Sequence, residues 1–371
     1  MTDGPKQDDV WMDHAIAIGR GGRPSPNPHV GAVLVKDGKV IGEGFHARAG
    51  EDHAEVSALK AAGGAAQGAT LYVTLEPCNH QGRTPPCTDA LIAAKIARVV
   101  IGFRDPNPHV AGGGLERLRE AGIEVVTSVR EAEARLLVAP WVKHVTLGLP
   151  YVSLKLALSL DGRIATRTGA SKWVTGPEAR VLVHALRARH DAVAIGIGTA
   201  LSDDPRLTVR DAAGASPVRI VFDTKLRMPL HSRMVETAAE VPTWIVCSAD
   251  APSANEEALV TRGVEVLRVP SSAEGRLDAD AAFRMLAARG IVTLMVEGGA
   301  ELAGSILAGQ LADELHAFVA PILLGPRGRP GAVDWAGPDT PTEAPRIADA
   351  QWELCGSDAY VRGTLQFPPR P

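Results

Sequence analysis

The strongest constraint on the fold is a rhythm. Short apolar runs of strand length alternate with amphipathic runs of helical length, and the alternation plays out on either side of a breaker cluster, Gly148-Leu149-Pro150. In the first half, an amphipathic stretch at 11–19 leads to strands expected at 30–35 and 40–45. Asp37-Gly38 between them is a hairpin-turn pair. A helix is expected from His53 through Ala62, then a strand at 70–75, a helix at 89–94, a strand at 99–103, a helix at 115–121 and a strand at 124–126. A last helix at 130–145 runs into the breaker. Strands joined through helices run parallel and carry those helices on the sheet faces, so this half reads as a helix–sheet–helix sandwich with partly parallel strands. The second half opens with a strand at 151–157. Strands at 192–196, 219–222, 244–247, 265–269, 293–296 and 315–319 then mix with helices at 177–189, 278–288 and 300–307. Strands near 352–355 and 360–366 complete a second sheet, and the Gly- and Pro-rich stretches at 325–330 and 337–345 read as loops. The class is α/β, with domains at 1–148 and 149–371.

At 371 residues the chain is long enough for more than one core. It is 45% hydrophobic and 22% charged, the balance of a soluble globular protein. A net charge of -4 argues against a general nucleic-acid binder. The N-terminal run MTDGPKQDDVWMDH is polar and acidic, without the apolar centre of a signal peptide, and no apolar run is long enough to span a bilayer. A cytoplasmic location is expected. Of four cysteines, Cys78 and Cys87 lie close in sequence and, in a reducing compartment, read as metal ligands rather than a disulfide. Cys247 and Cys355 read as small buried hydrophobes.

Chemistry concentrates in two places. His53-Ala54-Glu55 is followed by Pro77-Cys78 and then Cys87. One imidazole and two thiolates fill three positions of a tetrahedral zinc ion and leave one for water. Glu55, two residues past the histidine, can handle protons without binding metal, which is the arrangement of a zinc deaminase. A closed structural zinc with His80 as fourth ligand is the alternative. The general deaminase pattern has two residues between its cysteines, whereas here Asn79 to Pro86 intervene, a loop shaped by Gly82, Pro85 and Pro86. In the second half, Val296-Glu297-Gly298-Gly299 ends a strand and opens a helix. Glycines there let backbone amides approach a phosphate, and the helix N-terminus adds partial positive charge. A GxGxxG fingerprint after a strand is missing, so a Rossmann site is unsupported.

The long cysteine loop carries a resemblance. His53-Ala54-Glu55 with Thr74-Leu75-Glu76-Pro77-Cys78-Asn79-His80-Gln81-Gly82-Arg83-Thr84-Pro85-Pro86-Cys87 resembles the bifunctional deaminase–reductase family of riboflavin biosynthesis. Ser25-Pro26-Asn27-Pro28-His29-Val30-Gly31, Asp105-Pro106-Asn107-Pro108 and the run KLALSLDGRIA at 155–165 agree, so the resemblance covers nearly the whole chain.

It implies a cytidine-deaminase-like first domain and a second domain like dihydrofolate reductase. The first would hold Zn2+ through His53, Cys78 and Cys87, with Glu55 as proton shuttle. It would convert a phosphoribosylated diaminopyrimidinone hydrolytically to the aminouracil. Asn27, His46, His80, Asp105 and Asn107 would line the pyrimidine and ribose, and Arg83 and Thr84 would take the phosphate. The second would use NADPH to reduce the ribosyl group to ribityl. Cofactor contacts would come from Ala157, Ser159, Trp173, Thr199, Asp203, Gly299, Ala300, Glu301, Leu302, Ala303, Gly304 and Ser305. Substrate contacts would come from Ser171, Arg187, Leu207, Arg210 and Glu297. Lys155 and Asp203 are the candidates for polarising the sugar and managing its proton. Partners would be the phosphoribosylated pyrimidines and further copies of the chain in a dimer or larger assembly, with no nucleic acid and no membrane. A competing reading is a nucleoside or tRNA-editing deaminase with a non-catalytic second domain, which calls for a basic surface and no NADPH binding.

Overall fold

A computed structural model describes residues 5–82, 84–107, 113–272, 275–325, 327 and 331–369. The chain divides into two compact units, residues 1–149 and 150–371.

The first unit holds strands β1 (Gly31–Lys36), β2 (Lys39–Phe45), β3 (Thr70–Leu75), β4 (Arg98–Phe103) and β5 (Glu124–Val126), in the order β2-β1-β3-β4-β5. β1 is antiparallel to both neighbours, and the β3–β4 and β4–β5 pairs are parallel. Its helices are α1 (Pro5–Gly19), α2 (Ala54–Ala62), α3 (Cys87–Ala93), α4 (Gly114–Glu120) and α5 (Glu131–Leu147). Successive strand residues point to opposite faces, and both faces are covered. Ala32, Leu34, Leu71, Val73 and Leu75 pack with Ala58 of α2, Leu91 of α3 and Leu118 of α4. Val33, Val35 and Tyr72 pack with Met12 and Ala15 of α1 and Ala134 of α5. α1 begins six residues before the amphipathic stretch suggests, because its acidic first turn is anchored. Asp8 accepts from Tyr72 Oη at 2.9 Å and is gripped by both terminal nitrogens of Arg98 at 2.8 Å.

One contact fixes α2 against the sheet. A Cβ on Gly44 would lie 2.4 Å from the Ala54 carbonyl oxygen and 2.5 Å from the Ala58 nitrogen, and a Cβ on Gly42 would lie 2.4 Å from the Ala58 oxygen. Only glycine permits so close a backbone approach. It sets the height of the helix whose N-cap is His53.

The second unit holds β6 (Tyr151–Ser159), β7 (Ala192–Gly196), β8 (Val218–Phe222), β9 (Thr243–Ser248), β10 (Val264–Val269), β11 (Thr293–Glu297), β12 (Glu314–Ala320), β13 (Arg346–Cys355) and β14 (Asp358–Gln366). Their order is β10-β9-β8-β7-β11-β6-β12-β14-β13, parallel through β12 and antiparallel at the last two strands. The helices are α6 (Pro177–Arg189), α7 (Ile197–Asp203), α8 (Arg233–Glu236), α9 (Glu256–Thr261), α10 (Ala279–Ala288) and α11 (Ala300–Ala308). The short helices α7 to α9 were not expected, since runs of four to seven residues carry too little periodicity to register. β13 starts at Arg346 rather than 352; it is a largely exposed edge strand, so its sequence lacks the apolar alternation that betrays a half-buried one. Chain order reverses around β11, with β7 on one side and β6 on the other. The carboxyl ends of these strands form the switch point at which open α/β sheets bind ligands. No helix among the described residues is long and apolar enough to cross a membrane.

Candidate active sites

Three segments converge in the first unit. His53 caps α2, Cys78 follows β3, and Cys87 is the first residue of α3. His53 Nδ1 lies 3.3 Å from Cys87 Sγ and 3.6 Å from Cys78 Sγ, and the three donor atoms lie within 4.8 Å of one another. Tetrahedral zinc with bonds of about 2.3 Å to sulfur and about 2.0 Å to nitrogen places such atoms about 3.5 Å apart, so the donor set fits the ion in type and in spacing. The Cys87 N–H donates to Cys78 Sγ at 3.3 Å. The Cys87 thiol, with His53 beside it, holds Cys78 well below the usual thiol range, whereas Cys78 and burial push Cys87 up. His80 is exposed and is not part of this donor group, so the trio has no fourth protein ligand among the described residues.

Glu55, in the first turn of α2, is only 4% exposed. Burial, with the Cys78 sulfur adding to it, pushes its carboxyl up to about 7. A carboxyl poised there can take and return a proton at neutral pH.

Around the trio, Asn27 Nδ2 lies 2.9 Å from His46 Nε2, and His46 packs edge-on against the His53 ring at 5.1 Å. Burial pushes His46 down, which favours the neutral ring. Burial also raises the Asp105 carboxyl, whose Oδ1 accepts from the Asn107 N–H at 2.8 Å. Thr84 lines a cavity of about 440 Å³ with Phe45, Ala47, Gly50, Glu51, Asp52 and Ser57. Arg83 and Pro108 lie outside the described residues. Two supports escaped the sequence reading. Buried Glu76 accepts the N–H groups of Asp105 and Leu115, each at 3.3 Å, and so ties the loop after β4 to the first turn of α4. Asn79 donates to the Gly113 carbonyl and accepts from Thr88 Oγ1. Both stand inside the quoted motif, but only their burial and partners distinguish them from its other polar residues.

In the second unit, Lys155 on β6 sits in register between Glu297 of β11 and His316 of β12. Arg187 of α6 reaches Glu297 through two bonds, Nε at 2.5 Å and Nη2 at 2.8 Å, and donates Nη1 to the Thr208 carbonyl at 3.2 Å. Burial works against the Glu297 charge, but the Arg187 guanidinium outweighs it and holds the carboxyl below its ordinary value. Burial lowers Lys155, with Glu297 opposing. Arg210 donates to Thr208 Oγ1 at 2.8 Å, so Arg187 and Arg210 grip one residue. Ser171 and Asp203 are joined by a 2.8 Å bond. Thr199 faces Gly298 and Gly299, whose φ values of 72° and 89° suit glycine. Trp173 is 70% exposed under the Arg180 guanidinium, and Ala157 is half-buried on β6.

Some expected contacts are narrowed. The Ser159 hydroxyl is buried and committed to Asp161 Oδ1 and the Arg163 N–H. Leu207 lies in the core, 3% exposed, with φ at 51°. Ala300, Ala303 and Gly304 are buried, and a Cβ on Gly304 would lie 1.9 Å from the Asp334 oxygen. Gly299 and Leu302 remain partly open beside exposed Glu301, as does Ser305, whose hydroxyl bonds the Glu301 carbonyl.

The first unit therefore has the fold and donor set of a zinc deaminase, and the second the switch-point architecture of a ligand-binding α/β enzyme. Residues 5–103 match the cytidine and deoxycytidylate deaminase zinc-binding region, and residues 150–361 match the RibD C-terminal domain. The chain is 43% identical to the riboflavin biosynthesis protein RibD of Escherichia coli, over 96% of this chain and 98% of that one. It is 45% identical to the RibD of Aquifex aeolicus, over 86% and 88% of the two chains. Among solved structures, Acinetobacter baumannii RibD superposes with a TM-score of 0.87 at 38% identity, over 98% of this chain and 100% of that one. A diaminohydroxyphosphoribosylaminopyrimidine deaminase/5-amino-6-(5-phosphoribosylamino)uracil reductase of Thermotoga maritima does so with 0.83 at 36% identity, over 98% and 99%. The chain belongs to the RibD family of riboflavin biosynthesis, bifunctional enzymes that join a deaminase to a reductase.

Proposed function

We propose that the chain carries out two consecutive steps: hydrolytic deamination of the phosphoribosylated diaminopyrimidinone to the aminouracil, then NADPH-dependent reduction of the ribosyl group to ribityl. The observation that carries the first step is the donor trio with Glu55 buried beside it. Zinc, held by His53, Cys78 and Cys87, supplies the Lewis acidity that makes water nucleophilic near neutral pH. Glu55 takes the proton from the attacking water and returns it to the departing amino group. Its elevated proton affinity suits both transfers. Asn27, His80, Asp105 and Asn107 hold the pyrimidine and ribose, and Arg83 and Thr84 take the phosphate.

For the second step, NADPH supplies the hydride when bound. The turn at Gly298-Gly299 faced by Thr199, with the amides that open α11, is suited to its phosphates. Trp173, Ala157 and the Ser171–Asp203 pair border the reacting ends. Arg187 and Arg210 face the substrate phosphate. Lys155 delivers the proton, and Glu297 keeps a counter-charge beside it.

A reducing compartment, the cytoplasm, keeps both thiols free for metal. Assembly into a dimer or larger is supported by Trp352 and Leu354, exposed on edge strand β13. Sedimentation of a Trp352→Ser, Leu354→Ser variant as a smaller species than the parent would test it. For the deaminase, Glu55→Gln is expected to cut turnover about 10²- to 10⁴-fold while zinc stays bound. Near-normal turnover in the zinc-loaded variant would reject the role of Glu55.

A further inference from the structure

His46 follows β2 and is 3% exposed, with both ring nitrogens committed. Nδ1 lies 2.9 Å from the Asp52 carbonyl oxygen. A carbonyl only accepts, so Nδ1 carries the proton. Nε2 of the neutral ring is then an acceptor, and its partner 2.9 Å away is the Asn27 amide nitrogen. The geometry is a relay with a fixed direction. The Asp52 carbonyl sets the tautomer, the tautomer sets which end of the Asn27 amide faces His46, and the amide's oxygen becomes the end open to a ligand. The same ring lies edge-on against His53 at 5.1 Å and 71°, and Asp52 immediately precedes His53.

We infer that His46 is a positioning residue for the deaminase rather than a substrate contact, acting through Asn27 so that the amide oxygen meets a hydrogen-bond donor on the pyrimidine. No ring nitrogen of His46 is left to bind substrate, which separates this role from lining the site. The inference rests on the deaminase reading above. It adds a direction to it: at Asn27 the protein accepts, so the ligand edge it recognises is an amino or ring N–H group.

The test is a double-mutant cycle in the zinc-loaded full chain, assayed for deamination of the diaminopyrimidinone ribotide. Asn27→Ala is expected to raise KM about tenfold, the order of one lost polar contact. His46→Phe should do the same with zinc content unchanged and kcat nearly so. The double variant should be no worse than either single one. His46→Gln, whose side-chain oxygen can accept the Asn27 N–H, should recover most of the KM. Multiplying effects in the double variant would overturn the inference, because His46 would then act on substrate independently. So would an unchanged KM or lost zinc in His46→Phe. If His46→Phe does not fold, ¹⁵N NMR of the imidazoles in the parent and in Asn27→Ala decides. A His46 ring protonated on Nδ1, with an Nε2 signal that moves when Asn27 is removed, supports the relay; protonation on Nε2 overturns it. An unchanged KM in Asn27→Ala, with Glu55→Gln still inactive, sinks this inference alone. Turnover by Glu55→Gln sinks the deaminase reading instead.

Discussion

Arg187 and Glu297 stand 110 residues apart in sequence and meet through two short bonds in a nearly buried pair. Removing one partner of such a pair leaves an uncompensated buried charge, which costs about 3 kcal/mol or more. Arg187→Met is therefore expected to lower stability by about that much in chemical denaturation and to abolish reduction. A variant as stable as the parent would show that the pair is not strained by losing its cation. The sequence named both residues but not their union, because nothing in a linear chain announces an ion pair between a helix and a strand at that separation. The metal ligands were legible for the opposite reason: only a few residue types bind zinc, and histidine and cysteine in this order with a glutamate close by have few other uses. Glu76 and Asn79 were not legible, since a carboxylate that braces a loop against a helix start, or an amide that bridges Gly113 and Thr88, looks like any other polar side chain until its partners are seen.

At the scale of elements, the metal site depends on how tightly α2 lies on β2. Gly44→Ala would force a Cβ into the Ala54 carbonyl, and neither backbone can yield without moving the helix that carries His53 and Glu55. Zinc content by elemental analysis, melting temperature and deamination are all expected to fall, with reduction retained. Full zinc loading and normal deamination would contradict this account of the packing. α1 offers a second test. The Arg98 guanidinium, with the Tyr72 hydroxyl, holds the Asp8 carboxyl below its ordinary value against the opposing effect of burial. Its contribution to stability is thus complete above the unfolded-chain value of about 3.9 and is lost as pH falls through the lower folded value. Asp8→Asn should flatten the acid limb of a stability–pH curve and leave its shape above pH ~5 unchanged. An unaltered acid limb would remove Asp8 from that role. Strand and helix alternation made most elements visible beforehand, because buried parallel strands and amphipathic helices have distinct periods. β13 stayed partly hidden, as an exposed edge strand has no core face to imprint on its sequence.

The whole molecule is two units, each with its own sheet and its own cores. Chemistry in one should survive damage to the other's site. Cys78→Ser is expected to remove zinc and deamination while NADPH oxidation with the deaminated ribotide continues; loss of both would show that the second activity depends on the first site. The most direct measurement is mass spectrometry of the diaminopyrimidinone ribotide incubated with the zinc-loaded chain. Without NADPH, one amino group should be replaced by oxygen and the product should go no further. With NADPH, that product should gain two hydrogens on its sugar portion. An unchanged ribotide, or reduction without prior deamination, would contradict the two-step account.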